Sequence, residues 1–199
     1  MFCKQLLGVH RRTTTAGVLL DLGMHPVSMN AIKASIKNWG RIKNKNANIL
    51  LQESLLDATK GKLPWVTRIK HIFESNGLLG FFQTPQTNGN VKMENLVYQR
   101  LSDQFHQNSF ESIKLETSKL RTYSLLKKEI GREQYLKNVY NVKHRVAMTK
   151  LRLSSHPLLI ETGRYSRLDR KDRLCPLCTD KIEDKTHFMI HCPIYNKLS

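Results

Sequence analysis

Val139-Tyr-Asn-Val-Lys-His-Arg-Val-Ala-Met-Thr-Lys-Leu-Arg-Leu153 is the most informative run of the chain. Val139, Val142, Val146, Thr149 and Leu153 step by three and four, which lines side chains along one side of an α-helix. At about 100° per residue, Lys143 and Lys150 fall on one flank of that stripe, and Arg145 and Arg152 on the other. A helix with its stripe against a core and basic edges outward can place cations along a phosphate backbone. A plain amphipathic helix with solvated Lys and Arg has the same pattern.

The helical period recurs on the N-terminal side. Pro26 and Ser28, with Ser28 as N-cap, open a segment in which Met29, Ile32, Ile36 and Trp39 share a face; Gly40 is placed to end it. Asn46 to Lys60 carries Ala47, Leu50, Leu51, Leu55 and Ala58, closed by Gly61. Pro64 starts a third segment with Trp65, Ile69, Ile72 and Phe73, ending near Asn76-Gly77. Gln83-Thr-Pro-Gln-Thr-Asn-Gly-Asn90 reads as a loop. Beyond it Met93, Val97, Leu101 and Phe105 step by four, and Leu115 to Lys128 and Arg132 to Tyr140 also read as helical. No alternation is long enough for a strand. The expectation is a mainly α protein with a helical, bundle-like body: a helical region at 1–82, a loop at 83–90, a second helical region at 91–173, and a small zinc knuckle at 174–199.

That knuckle rests on Cys175-x2-Cys178-x8-His187-x4-Cys192. A tight turn through Pro176 and Leu177 can aim two sulfurs at one point, and zinc in a structural site takes four such ligands in a tetrahedron. Residues four or five apart on a helix converge if its last turn bends or ends, and Pro193 comes directly after. His191 is the substitute for Cys192 as fourth ligand; Cys192 is preferred as the softer donor. A disulfide is disfavoured without a secretory signal. Cys3 stands alone and reads as a small buried hydrophobe. So short a segment needs the metal for its fold, and a closed four-ligand site leaves no position for a reacting water.

The 199 residues suit one domain or two small ones. At 40% hydrophobic and 25% charged, the composition excludes a disordered tail. No apolar run approaches the ~18 residues of a membrane span, and no signal peptide is visible, which points to an intracellular protein of nucleus or cytoplasm. Thirty-three basic against 16 acidic residues leave +17, which asks for a polyanion, RNA or DNA first, rather than a membrane or a small-molecule substrate. Both ends carry it: +7 from Met1 to Leu50 and +6 from Asn141 to Ser199. Before the cysteines, Arg164, Tyr165, Arg167, Arg170, Lys171 and Arg173 mix cations with an aromatic ring, suited to phosphate contact and base stacking. Asp169 and Asp172 also allow a salt-bridged loop. No P-loop, nucleophile elbow or Gly-x-Gly-x-x-Gly occurs, and His10, His25, His71, His106, His144 and His156 are scattered.

The run Arg145 to His156, Ile160-Glu-Thr-Gly-Arg-Tyr165, and the cysteine motif closing on Pro193-Ile-Tyr195 together resemble the C-terminal region of non-LTR (LINE-type) retrotransposon reverse transcriptases. Phe2 to Val9, with Leu22-Gly23 and Pro26, resembles the segment C-terminal to the polymerase core in that family, which makes 1–82 a thumb-like, post-polymerase region. The resemblance implies a nucleic-acid-gripping tail with Cys175, Cys178, His187 and Cys192 as zinc ligands. It also implies a piece of a larger polyprotein without its own active site. Reverse transcription needs clustered carboxylates for two metal ions, and no Asp-Asp pair occurs here.

Overall fold

A computed structural model describes residues 2–43, 48–83, 92–115 and 119–197. These are mostly helical and contain no strand, only an isolated bridge between Leu174 and Ile182. In chain order the helices are α1 (Phe2–Leu6), α2 (Thr15–Leu22), α3 (Val27–Lys43), α4 (Ile49–Lys60), α5 (Pro64–Ser75), α6 (Leu79–Gln83), α7 (Met93–Lys114), α8 (Arg121–Leu126), α9 (Tyr135–Asn138), α10 (Val142–Arg152) and α11 (Leu159–Thr162). No helix among the described residues is long and apolar enough to cross a membrane.

The loop expected at 83–90 lies, after Gln83, outside the described residues. The compact units divide elsewhere: one combines Met1–Met24 with Ser109–Ser199, and the other is His25–Asn108. Burial explains the split. Leu7, Val18 and Leu20 share a core with Ile113, Leu120, Tyr123 and Leu153, so the N-terminal helices pack with the C-terminal half. Cys3 packs, partly buried, against the same core, as expected of a small hydrophobe. The region 174–199 belongs to this first unit rather than standing alone.

The His25–Asn108 unit follows the periodic reading closely. Ile36 and Trp39 of α3, Leu55 and Ala58 of α4, and Val66, Ile69 and Phe73 of α5 form its core. Trp39 stacks on Phe82 at 5.3 Å with a tilt of 12°. Lys43 lies over both rings and donates to the Phe82 carbonyl at 2.6 Å. Gly40 does not end α3, and Ser28 lies inside its first turn. A helical glycine costs only about 1 kcal/mol, which the burial of Trp39 beside it outweighs. In α4, Asn48 is the N-cap and its side chain accepts from the Leu50 N–H. Leu50 and Leu51, expected on the inner face, are exposed at 71% and 48%, and so is Trp65 of α5 at 42%; Asn46 and Ala47 of the expected segment lie outside the described residues.

Helix α10 starts three residues later than the Val139 stripe. Asn141 caps it by accepting from the Lys143 and His144 N–H groups. Thr149 and Leu153 are buried, whereas Val142 is exposed. Helix α9 is likewise shorter than the periodicity suggested; of the segment expected at 115–128, α8 covers Arg121–Leu126, and 116–118 lie outside the described residues.

Beneath α10 sits a charged network inside the first unit. Asp21 is fully buried and accepts from Tyr123 Oη at 2.9 Å and Tyr135 Oη at 2.5 Å. Arg152 reaches Asp21 at 3.3 Å and Glu133 at 2.7 Å, and Glu133 pairs with Lys127 at 2.6 Å. Two carboxylates face two cations, so the group is neutral as a whole. Burial, then the Asp21 charge, holds both tyrosine hydroxyls well above their usual range. For Arg152, burial lowers the affinity for its proton, but Asp21 and Glu133 outweigh it and keep the guanidinium charged.

Candidate metal centre

Cys175 begins a small turn. Its N–H donates to the Lys181 carbonyl at 2.8 Å, and its own carbonyl accepts from the Thr179 N–H at 2.9 Å. Thr179 takes a positive φ of 55°, which folds the chain back so that both sulfurs face the same side. Residues His187–His191 then wind into a π-turn, closed by Cys192 N–H donating to the His187 carbonyl at 2.8 Å. In an α-helix a residue five positions on points away from the first. The wider π-turn brings Cys192 round to the side of His187. The expected bend of the last turn is therefore a change of helix type. His191 is exposed and stands outside the group.

The ligand atoms of Cys175, Cys178, His187 and Cys192 all lie within 4.8 Å of one another. Cys175 Sγ and Cys192 Sγ are 3.9 Å apart, and Cys178 Sγ is 3.2 Å from His187 Nε2. A tetrahedron with metal–sulfur bonds of about 2.3 Å has sulfur–sulfur edges of about 3.8 Å. The donor set fits a metal ion, and none of these cysteines is in a disulfide. Burial pushes the Cys175 thiol up, while the Asp180 N–H pulls the Cys178 thiol down. A bound dication favours both thiolates.

The segment is tied to the helices by polar contacts. Glu183 is buried; its carboxylate accepts from Leu159 N–H at 2.6 Å and its carbonyl from Ile160 N–H at 3.2 Å. Lys185 Nζ donates to Thr122 Oγ1 and Ser154 Oγ at 2.7 and 2.8 Å. From Leu174 to Lys197 the buried residues are Cys175, Glu183, His187 and Cys192. Three of these are ligands, so the segment has almost no apolar core of its own.

The expected phosphate contacts separate into two groups. Lys143, Arg167, Arg170 and Lys171 are exposed, and Arg145 and Lys150 half-exposed. Arg152 is not on an outer flank but in the Asp21–Glu133 ion pair, because those carboxylates lie beneath α10. Arg173 donates to the carbonyls of Ile160 and Leu168, which makes it a loop brace. Arg164 sits 3.9 Å from Glu161. Tyr165 is 56% exposed; Lys119 lies over its ring and donates to its hydroxyl at 2.9 Å, and Arg12 lies 5.6 Å from the ring centre. The Lys119 hydrogen bond holds the Tyr165 phenol below its usual range.

Sequence reasoning took His10 and His156 as scattered surface or core histidines and gave Arg12 and Lys119 no role. They line a cavity of about 370 Å³ with Tyr165. Only the fold brings positions 10, 119 and 156 together. Burial, then the Lys185 ammonium, pulls His156 down to about 4. Unfolded, it takes a proton near 6.5, so its contribution to stability is present above that pH and is lost as pH falls toward 4. The loss is about 3 kcal/mol. His156→Phe is therefore expected to flatten part of the acid limb when melting temperature is tracked from neutral pH to about pH 4.5. An acid limb identical to wild type would contradict this.

Comparison with protein-family models, curated proteins and solved structures finds no match, so the Cys3His cluster itself carries the functional reading.

Proposed function

We propose that the chain is a zinc-stabilised nucleic-acid-binding module, the C-terminal region of a retrotransposon-type reverse transcriptase polyprotein, with no polymerase or nuclease active site of its own. The observation that carries this is the Cys3His cluster on a chain of net charge +17. Three thiolates and an imidazole in a closed tetrahedral set suit Zn²⁺ above the harder divalent ions, and free thiol ligands suit a reducing intracellular compartment. The cluster's role is to hold 174–197 against α11 while Lys143, Arg145, Lys150, Arg167, Arg170 and Lys171 meet phosphates. Its four-ligand set leaves no site for a reacting water.

Binding of this kind is dominated by counterion release. With about six cations engaged, affinity for labelled RNA or DNA falls about 10³-fold between about 50 and 200 mM salt. Flat salt dependence, or no binding at low salt, contradicts the reading. A second reading, a protein-docking knuckle, is favoured by the exposed Leu177, Met189 and Ile190. It predicts that the chain keeps its metal and yet binds neither RNA nor DNA at low salt.

A further inference from the structure

The cavity lined by His10, Arg12, Lys119, Ser155, His156 and Tyr165 lies wholly within the Met1–Met24/Ser109–Ser199 unit. It draws on three separate stretches of chain, and it is distinct from the cysteine cluster. Its 370 Å³ is at the small end of ligand sites, room for one nucleotide rather than a large cofactor.

Two features mark it as a receptor. His156 is 8% exposed, yet neither ring nitrogen has a hydrogen-bond partner among the described residues. A buried polar group without a partner costs about 1–3 kcal/mol, and a ligand offering both an acceptor and a donor removes that cost. Second, Arg12 and Lys119, 107 positions apart in the sequence, converge on Tyr165, and neither forms an ion pair among the described residues. Two unneutralised cations beside an exposed aromatic ring suit a phosphate next to a flat or hydroxylated group. Glu161, which also lines the cavity, sits with Arg164 and is a negative group the ligand must avoid.

We infer that this cavity holds a single phosphorylated nucleotide, its phosphate at Arg12 and Lys119 and its base or sugar edge at His156. The nucleotide is either free in solution or an unstacked residue of a bound strand. The strand source rests on the nucleic-acid-binding reading above; the free source does not.

The test uses the full chain with adenosine 5′-monophosphate and a single-stranded oligoribonucleotide as probes. The variants are His156→Phe and Lys119→Gln, with Lys137→Gln on the exposed side of α9 as a charge control. His156→Phe breaks no internal hydrogen bond, so its melting temperature at pH 7 reports whether the fold is kept. The expected result is a shift of the His156 ring signals in NMR on adding the monophosphate. Lys119→Gln should weaken its affinity about tenfold or more, the effect of one hydrogen bond to a charged group; His156→Phe, which leaves the ligand's polar edge unpaired, should weaken it about fivefold or more; and Lys137→Gln should do neither. An equal loss with the oligoribonucleotide identifies the strand as source; a loss with the monophosphate alone identifies the free nucleotide. The inference is overturned if the monophosphate leaves His156 unmoved and His156→Phe binds the oligoribonucleotide as wild type does. In that case nucleic-acid binding itself stands. Monophosphate binding without oligoribonucleotide binding supports the cavity and removes the nucleic-acid reading instead.

Discussion

Replacing Cys175 and Cys178 together by serine is expected to release the metal and unfold 174–197 while leaving His25–Asn108 intact. The asymmetry comes from burial. Cys175, His187 and Cys192 make up nearly all the interior of the C-terminal segment, whereas Trp39, Phe73 and Ile36 fill a separate core. Structural zinc contributes about 10–16 kcal/mol in small zinc-binding peptides, far more than any single apolar contact here. Hydrogen exchange reads the outcome locally. The N–H groups of Cys175, Glu183 and Cys192 donate to the Lys181, Arg173 and His187 carbonyls, and each should lose protection. Chelation of the wild type should do the same. A variant that keeps both its metal and this protection shows that other residues hold the ion.

Asp21→Ala is expected to lower the melting temperature of the first unit by about 15 °C, from a cost of about 3–5 kcal/mol. The change removes the acceptor of two buried tyrosine hydroxyls and leaves Arg152 with Glu133 alone, which Lys127 also claims. The neutral group of four charges becomes a buried excess cation. Adding Arg152→Met should restore part of the loss, because it removes the uncompensated charge. If the double variant is no better than the sum of the singles, the network is a set of independent hydrogen bonds rather than an ion pair.

Those two sites differ in how far they can be read from sequence. Cys175, Cys178, His187 and Cys192 are close in the chain, so spacing selects the cluster, while donor softness rather than spacing ranks Cys192 ahead of His191. The π-turn that makes the x4 spacing work has no separate sequence signal. The Asp21 network is the opposite case. Its members lie as far as 131 positions apart, and helical geometry gave Arg152 a flank without showing the carboxylates beneath it. For the same reason α3 follows its apolar stripe and α5 does so except at Trp65, which is exposed while Val66 is buried, whereas the division into units does not follow the expected boundaries. Leu7 and Leu20 meet Tyr123 and Leu153 only through long-range packing. Leu50 and Leu51 show the limit within a single helix, where period marks a face but not which part of it is covered. Of the cavity's positions 10, 12, 119, 156 and 165, a linear reading picks out Tyr165 alone, because the others meet it only through the fold.

Metal analysis of the intact, reduced chain tests the central claim most directly. The Cys3His geometry predicts one zinc ion per chain, retained through gel filtration and lost on replacing Cys175 and Cys178. A chain that is folded at 174–197, with its thiols reduced and no bound metal, would contradict it.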